Sequence, residues 1–484
     1  MTTPSNPPSQ PNPPSQPDPP SQPDPSDPRS RPQPRAAAPS PRPVRRRTPF
    51  IALLTSYTIS VTGTSMSAIA IPWLVLTTTG SAAKTGLAAF AETATYVVSQ
   101  MLAGPVVDRV GLRRSFVAGD VAAALAMGAI PVMFAFGHLT LAVLLVLVAC
   151  AGAVRGAADC ANSALVPTTA EAGEVPLERA ASLNSGANRM ALLLGAPLGG
   201  ALVTFIGPSA VVGVDAASFA VAAAMMAIWV RVPEGRPASS EASVKADSGT
   251  DLDTDADTDS DMGRRTIRPL AVLRNYTRDL NTGLRFLRGD RLLLGIITMV
   301  AVTNLLDQGM TVVMLPVWAH QRIGSASALG LLIGAMGLGS LIGNLISAWL
   351  GPRLARRPLY SIGYLVSGAP RFVVVAFAAT LSPVFVCFLV CEVFGGSLNS
   401  VIGATSYERI PEHLRARVLG AIRASAWLGI PFGALLGGYS VEAWGIRDAL
   451  LAFGAAYLVT TLAPFVFPSW AQMRRPAPVA PQTG

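Results

Sequence analysis

Glu92, Asp307 and Glu392 lie deep inside long apolar runs, where a charge is costly. Arg155, Asp159, Asp215 and Arg371 share that setting. An ionisable side chain within a bilayer span marks an ion or substrate path by default. A carboxyl that is neutral when protonated and charged when not can bias one conformation over another, so these residues suit proton-coupled movement of a solute. Depth follows from a rise of roughly 1.5 Å per helical residue. It places Glu92, Asp307, Glu392 and Arg371 in the middle-to-outer half, Asp215 nearer the outer edge, and Arg155 with Asp159 toward the cytoplasm. Arg155 and Asp159 are four apart and within reach of each other. Arg371, at the depth of Glu392, is placed to neutralise it. Ser56, Ser60, Thr64 and Ser67 recur at helical spacing on the first apolar run.

The second informative stretch is Gly104-Pro105-Val106-Val107-Asp108-Arg109-Val110-Gly111-Leu112-Arg113-Arg114. It separates two apolar segments, each long enough for a crossing that needs roughly 20 residues. So short a joint forces an antiparallel hairpin, and its arginines belong on the cytoplasmic side.

Such side chains need a membrane scaffold, and the composition supplies one. Of 484 residues 51% are hydrophobic and 13% charged, against about 25% charged in a soluble domain; mean hydropathy is +0.45. The net charge of +9 is spread over short loops beside apolar spans, which favours a topology signal over a nucleic-acid patch. Apolar runs and breakers predict an all-α polytopic membrane protein with twelve spans near 50–78, 84–107, 114–136, 139–165, 180–206, 209–231, 292–318, 326–350, 359–380, 383–407, 416–441 and 447–470. The organisation read from these is a disordered Pro-rich tail over 1–48, a six-helix half over 49–231, a linker over 232–290 and a second half over 291–470, followed by a tail over 471–484. The linker carries an alternating aspartate run over 251–261, read as a solvated acidic segment. Arginine and lysine concentrate on one set of loops, and only Lys84, Arg322 and Arg447 fall on the other, so both termini are expected in the cytoplasm. Cys150, Cys160, Cys387 and Cys391 read as small apolar packing residues.

The two halves repeat. Arg189, Gly195, Pro197 and Gly199 of span five recur at a constant offset as Arg423, Gly429, Pro431 and Gly433 of span eleven. Glycines let helices approach and proline frees a carbonyl, so Gly195, Pro197, Gly199, Gly200, Gly429, Pro431 and Gly433 are expected to form hinges.

The spacing of Gly104, Asp108, Arg109, Gly111, Arg113 and Arg114 resembles the loop between helices 2 and 3 of the major facilitator superfamily. Four stretches are similar to its drug-efflux branch, which includes macrolide-efflux and enterobactin-exporter-like proteins. They are Ala164-Leu165-Val166-Pro167, Ala181-Ser182-Leu183-Asn184, Asp215-Ala216-Ala217-Ser218-Phe219 and Pro411-Glu412-His413-Leu414-Arg415-Ala416-Arg417-Val418-Leu419-Gly420. The resemblance implies two six-helix halves as parallel repeats and a cavity lined by spans one, four, seven and ten, which ranks Asp307 and Glu392 first. It also implies a gate in which Asp108 docks at the start of span eleven, where a helix N-terminus favours a carboxylate. In the second half Arg356 and Arg357 stand for Arg113 and Arg114, but Gly351 replaces the aspartate, so the gate is expected to be asymmetric. The antiporter signature is met by Gly195, Gly199 and Gly200, with the proline displaced to Pro197.

No phosphate-binding loop is present: the glycines from 334 to 343 lack the G-K-[ST] ending. No catalytic triad, metal site or cofactor motif is seen. The expected function is non-enzymatic: proton-coupled efflux of a drug-like, antibiotic or siderophore-like molecule across the cell membrane by a monomer, whose partners are substrate, protons and lipid. An importer of the same fold, or a receptor or scaffold that does not transport, are the alternatives.

Overall fold

The computed structural model describes residues 47–230, 269–350 and 355–473. The Pro-rich tail, the aspartate run, Gly351 and the last eleven residues lie outside these. The described residues form helices and turns, with no strand among them. Eleven helices are long and apolar enough to cross a membrane. They are span one (Thr48–Thr79), three (Leu112–Ala135), four (Leu141–Ala172), five (Leu177–Ile206), six (Pro208–Trp229), seven (Arg291–Ile323), eight (Ala326–Leu350), nine (Arg356–Phe377), ten (Leu381–Arg409), eleven (Glu412–Trp444) and twelve (Ile446–Val466). Span two, Ala82–Val110, is as long, its apolar character diluted by Lys84, Glu92, Asp108 and Arg109. Among the described residues these twelve helices bring residues 47 and 473 to one side, the terminal face; the opposite side is the distal face.

The connections are short because single residues end the helices. Gly80 closes span one with φ 66°, and Ser81 caps span two by accepting from the N–H of Lys84 at 3.2 Å. Gly111 reverses the chain into span three with φ 94°, a conformation closed to most side chains. Large apolar side chains such as Phe205, Leu125 and Trp349 stand outward, 84%, 72% and 71% exposed, a surface suited to lipid and not to water.

Span seven runs past its predicted end at 318, to Ile323. Two π-helical turns, Met310–Met314 and Ala319–Ile323, flank Pro316, widening the helix where proline offers no N–H. Span nine breaks at Gly368 just before Pro370, and span eleven breaks at Gly429 just before Pro431. Span five is one unbroken helix through Pro197. Its glycines lie in close contacts that hold the helix on both sides. A Cβ on Gly195 would meet Ser65 Cβ at 2.6 Å, one on Gly199 would meet Met66 Cα at 2.6 Å, and one on Gly200 would meet Ala326 O at 2.6 Å. Gly433 lies likewise against Leu305 O of span seven.

One helix was not foreseen. Residues 269–289, read as part of the linker, form an amphipathic helix, Pro269–Gly289. Its Leu280, Leu284 and Leu287 pack against Ile297, Val418 and Ala421, and Gly283 lies against Arg417 O and Ala421 Cβ.

Close approaches between the halves run from the distal face to mid-span, where Gly334 and Gly337 of span eight lie against Pro197 and Leu193 of span five. Gly86 of span two lies on Ala434 O of span eleven, and Gly200 of span five on Gly330 of span eight. Glu442 at the end of span eleven accepts from Ser81 Oγ at 2.9 Å and from the N–H of Ala83 at 3.1 Å, so it caps span two from the other half. Thr204 Oγ1 accepts from the N–H of Ser327 at 3.2 Å, and the rings of Trp73 and His320 are 5.4 Å apart.

Candidate functional site

The break in span nine sets the first cluster. With φ −96° and ψ −93°, Gly368 turns the chain, and a Cβ there would collide with the Tyr457 ring. Tyr457 of span twelve fills that space, its ring tilted 45° against that of Phe372 at 5.7 Å. Arg371, three residues past the break, is thereby turned inward and is 4% exposed. Its Nη1 donates to Glu392 Oε1 of span ten at 2.8 Å and its Nη2 to Asp307 Oδ1 of span seven at 2.8 Å. The guanidinium carbon lies 6.0 Å from the Tyr457 ring. Asp307 keeps 34% of its side-chain surface accessible and Glu392 18%, against 5% for Arg371. A buried cation thus sits behind two carboxylates that keep part of their surface accessible. One positive charge faces two negative ones, so a proton neutralises the cluster and its loss leaves one net negative charge.

The second cluster belongs to the first half. Gly152 and Gly156 of span four lie against the carbonyls of Glu92 and Tyr96, so spans two and four approach closely. Arg155 Nη1 is 3.9 Å from Glu92 Oε1, and its guanidinium carbon is 5.9 Å from the Tyr96 ring and 5.6 Å from the Phe219 ring. Arg155 and Asp159 make no direct contact within ion-pair distance, yet they remain close enough for their charges to attract. Asp159 Oδ2 accepts from Tyr96 Oη at 2.8 Å, because the close helix contact presents span two to both residues. Asp215 is 1% exposed and accepts from Ser218 Oγ at 3.4 Å.

Sequence reasoning missed Asp120, Tyr96 and Tyr457. Asp120 of span three is 2% exposed and its Oδ2 has no hydrogen-bond partner among the described residues. A full count of acids within spans would have found it. The tyrosines carry no such signal, since their roles depend on which helix they meet. The serines of span one are mostly buried, and Ser56 and Thr64 donate back to their own helix, to Leu53 O and Ser60 O.

At the terminal face Asp108 is exposed, with no hydrogen-bond or ion-pair partner among the described residues; its docking on span eleven is not made in this conformation, where the glycine contacts join the halves from the distal face to mid-span. Gly104 has open space where a Cβ would stand. Arg113 donates to Ala227 O at the end of span six, and Arg357 donates to Pro464 O at 3.0 Å at the end of span twelve. The repeat thus pairs Arg113 with Arg357, one residue from the alignment read off the sequence, and frees Arg356 to grip Glu408 at 2.7 Å. Cys387 and Cys391 have sulfurs 3.7 Å apart, and no group of three metal-ligating side chains occurs among the described residues.

Known proteins resemble the chain throughout this scaffold. The family model described as Major Facilitator Superfamily matches residues 53–324 and 297–483. The multidrug efflux pump Tap of Mycolicibacterium fortuitum is 25% identical over 420 residues, 86% of this chain and 94% of the pump. Tap of Mycobacterium tuberculosis is 26% identical over 434 residues, 87% of this chain and 94% of the pump. Among solved structures, nucleoside transporter NupG superposes with a TM-score of 0.65 at 11% identity, covering 87% of this chain and 99% of its own. A bacterial homologue of the lysosomal transporter Spinster, in an inward-facing and unoccupied conformation, gives 0.62 at 13% identity, covering 89% and 98%. At such identities the structures attest the fold alone.

Proposed function

The chain belongs to the major facilitator superfamily, and from that premise we propose that it is a proton-coupled exporter of small molecules in the cell membrane, with both termini in the cytoplasm. The observation that carries this reading is the Asp307–Arg371–Glu392 cluster, two partly accessible carboxylates on one buried guanidinium. Deprotonated, the cluster has a net negative charge that attracts a cationic or amine-bearing solute; protonated, it releases that solute. Solute and proton then compete for one site, so that binding of each disfavours the other, a reciprocal coupling that suits exchange. The similarity to pumps named for multidrug efflux supports export over import. Glu92, Arg155 and Asp159 form a second charged group in the other half, a candidate continuation of the proton path. The loop of Gly104, Asp108, Arg109, Gly111, Arg113 and Arg114 is assigned to terminal-face closure. Gly195, Gly199, Gly200, Gly429 and Gly433, with Pro197 and Pro431, are assigned to the helix contacts about which the halves move.

The test is accumulation of a fluorescent cationic drug in cells that lack their own pumps. Cells producing this chain retain less drug, and collapsing the proton gradient restores retention. Equal retention with and without the chain, at confirmed membrane abundance and over a panel of cationic drugs, contradicts export.

A further inference from the structure

Away from the transport path, a cleft of about 490 Å³ opens at the terminal face where three elements converge. The amphipathic helix supplies Arg285, the start of span seven supplies Asp290 and Arg291, and the end of span ten supplies Arg409; Gln472 closes one side. Its polar contacts decide its chemistry. Asp290 Oδ1 accepts from the N–H groups of Leu292 and Leu293 at 3.0 and 3.1 Å, and its Oδ2 accepts from Arg409 Nε at 2.8 Å. Burial works against ionisation of Asp290, but the Arg409 hydrogen bond and the two backbone N–H groups outweigh it and hold the carboxyl below its ordinary value. Arg409 Nη2 donates to Gln472 Oε1 at 3.1 Å. The one carboxylate among the described residues lining the cleft is therefore consumed, and it fixes one guanidinium in place. Arg285 and Arg291 are exposed and have no ion-pair partner among the described residues. Three arginines against one aspartate leave two positive charges lining a concave surface.

A guanidinium offers a planar fork of donors that matches a phosphate group, and one already oriented loses little freedom on binding. Span seven starts at this level, and the apolar side of the amphipathic helix packs on Ile297 and Val418. The cleft thus lies at the membrane boundary, the level of lipid headgroups. We propose that Arg285, Arg291 and Arg409 form a binding site for a phosphate-bearing anion, either an anionic lipid headgroup or a soluble phosphate. Its occupant ties the linker helix to the ends of spans seven and ten, the two spans that carry Asp307 and Glu392.

The experiment uses the purified full chain in a neutral detergent and reads its thermal unfolding midpoint. Phosphatidylglycerol, phosphatidylcholine and inorganic phosphate are titrated separately. Phosphatidylglycerol is expected to raise the midpoint and phosphatidylcholine is not. Arg285→Gln with Arg291→Gln is expected to weaken the apparent affinity about a hundredfold, roughly tenfold for each charge-assisted hydrogen bond removed. Arg278→Gln with Arg288→Gln removes two exposed arginines of the same helix outside the cleft and is expected to leave that affinity within about threefold of wild type. Inorganic phosphate matching the lipid's effect, with the same loss in the cleft variant, supports the site and assigns it to a soluble anion. An absent response to both phosphates, or an equal loss in the two double variants, overturns the proposal.

Discussion

Replacing Arg371 by glutamine removes the cation that bridges Asp307 and Glu392, and the cost can be worked from the geometry. Both carboxylates sit 2.8 Å from different nitrogens of one guanidinium. Without it, two like charges remain about 5 Å apart, with a repulsion of about 3 kcal/mol at an effective dielectric constant of about 20. That agrees with the roughly 3–5 kcal/mol that follows removal of one partner from a buried ion pair. Arg371→Gln is therefore expected to lower stability by about 3 kcal/mol at neutral pH, and the deficit shrinks in acid, where proton uptake removes the repulsion. Adding Asp307→Asn returns the cluster to one net negative charge, so the double variant is expected to regain most of the loss. The assay is a double-mutant cycle by chemical or thermal unfolding in detergent. Equal stability of Arg371→Gln and wild type, or no recovery on adding Asp307→Asn, would refute the reasoning.

Three further outcomes follow from the packing. Gly200→Val is expected to separate spans five and eight, since its Cβ would lie 2.9 Å from Gly330 Cα; thiol labelling of an introduced cysteine at Phe90, near the distal contact, should then increase, and unchanged labelling counts against a closed distal face. Asp108→Asn is expected to impair transport at normal membrane abundance and unchanged unfolding temperature, because Asp108 is exposed; wild-type efflux at matched expression removes it from the gate. Asp290→Asn is expected to destabilise the protein at neutral pH. The depressed Asp290 carboxyl contributes stability above the ordinary carboxylate value and loses it as pH falls through the folded value, so the gap between variant and wild type should close in acid. A gap that widens in acid contradicts the assignment.

The twelve helices were legible because bilayer spans announce themselves by length and apolar content, and because Gly80, Gly111 and Gly207 punctuate them. The amphipathic helix over 269–289 was overlooked, since Leu280, Leu284 and Leu287 make a stripe too short to register as a span. The acids Asp307 and Glu392 were legible from their depth, as was Arg371 as a partner for Glu392, but not for Asp307. That one guanidinium bridges both was not, because the bridge depends on the break at Gly368 and on Tyr457 from span twelve. Spacing alone joined Arg155 to Asp159; the glycines of span four also bring in span two, so Glu92 and Tyr96 join the group. Periodicity describes one helix at a time; tertiary approach decides which charges meet.

The central claim, that solute and proton compete for the Asp307–Arg371–Glu392 cluster, is tested most directly by proton release on substrate binding. Purified protein in weakly buffered solution is mixed with an exported cationic drug while a pH-sensitive dye records free protons. Wild type is expected to release protons in proportion to drug bound, and Asp307→Asn with Glu392→Gln is expected to release none. Release from the double variant at the wild-type level, with the drug still bound, would place the exchanging proton elsewhere and contradict the account.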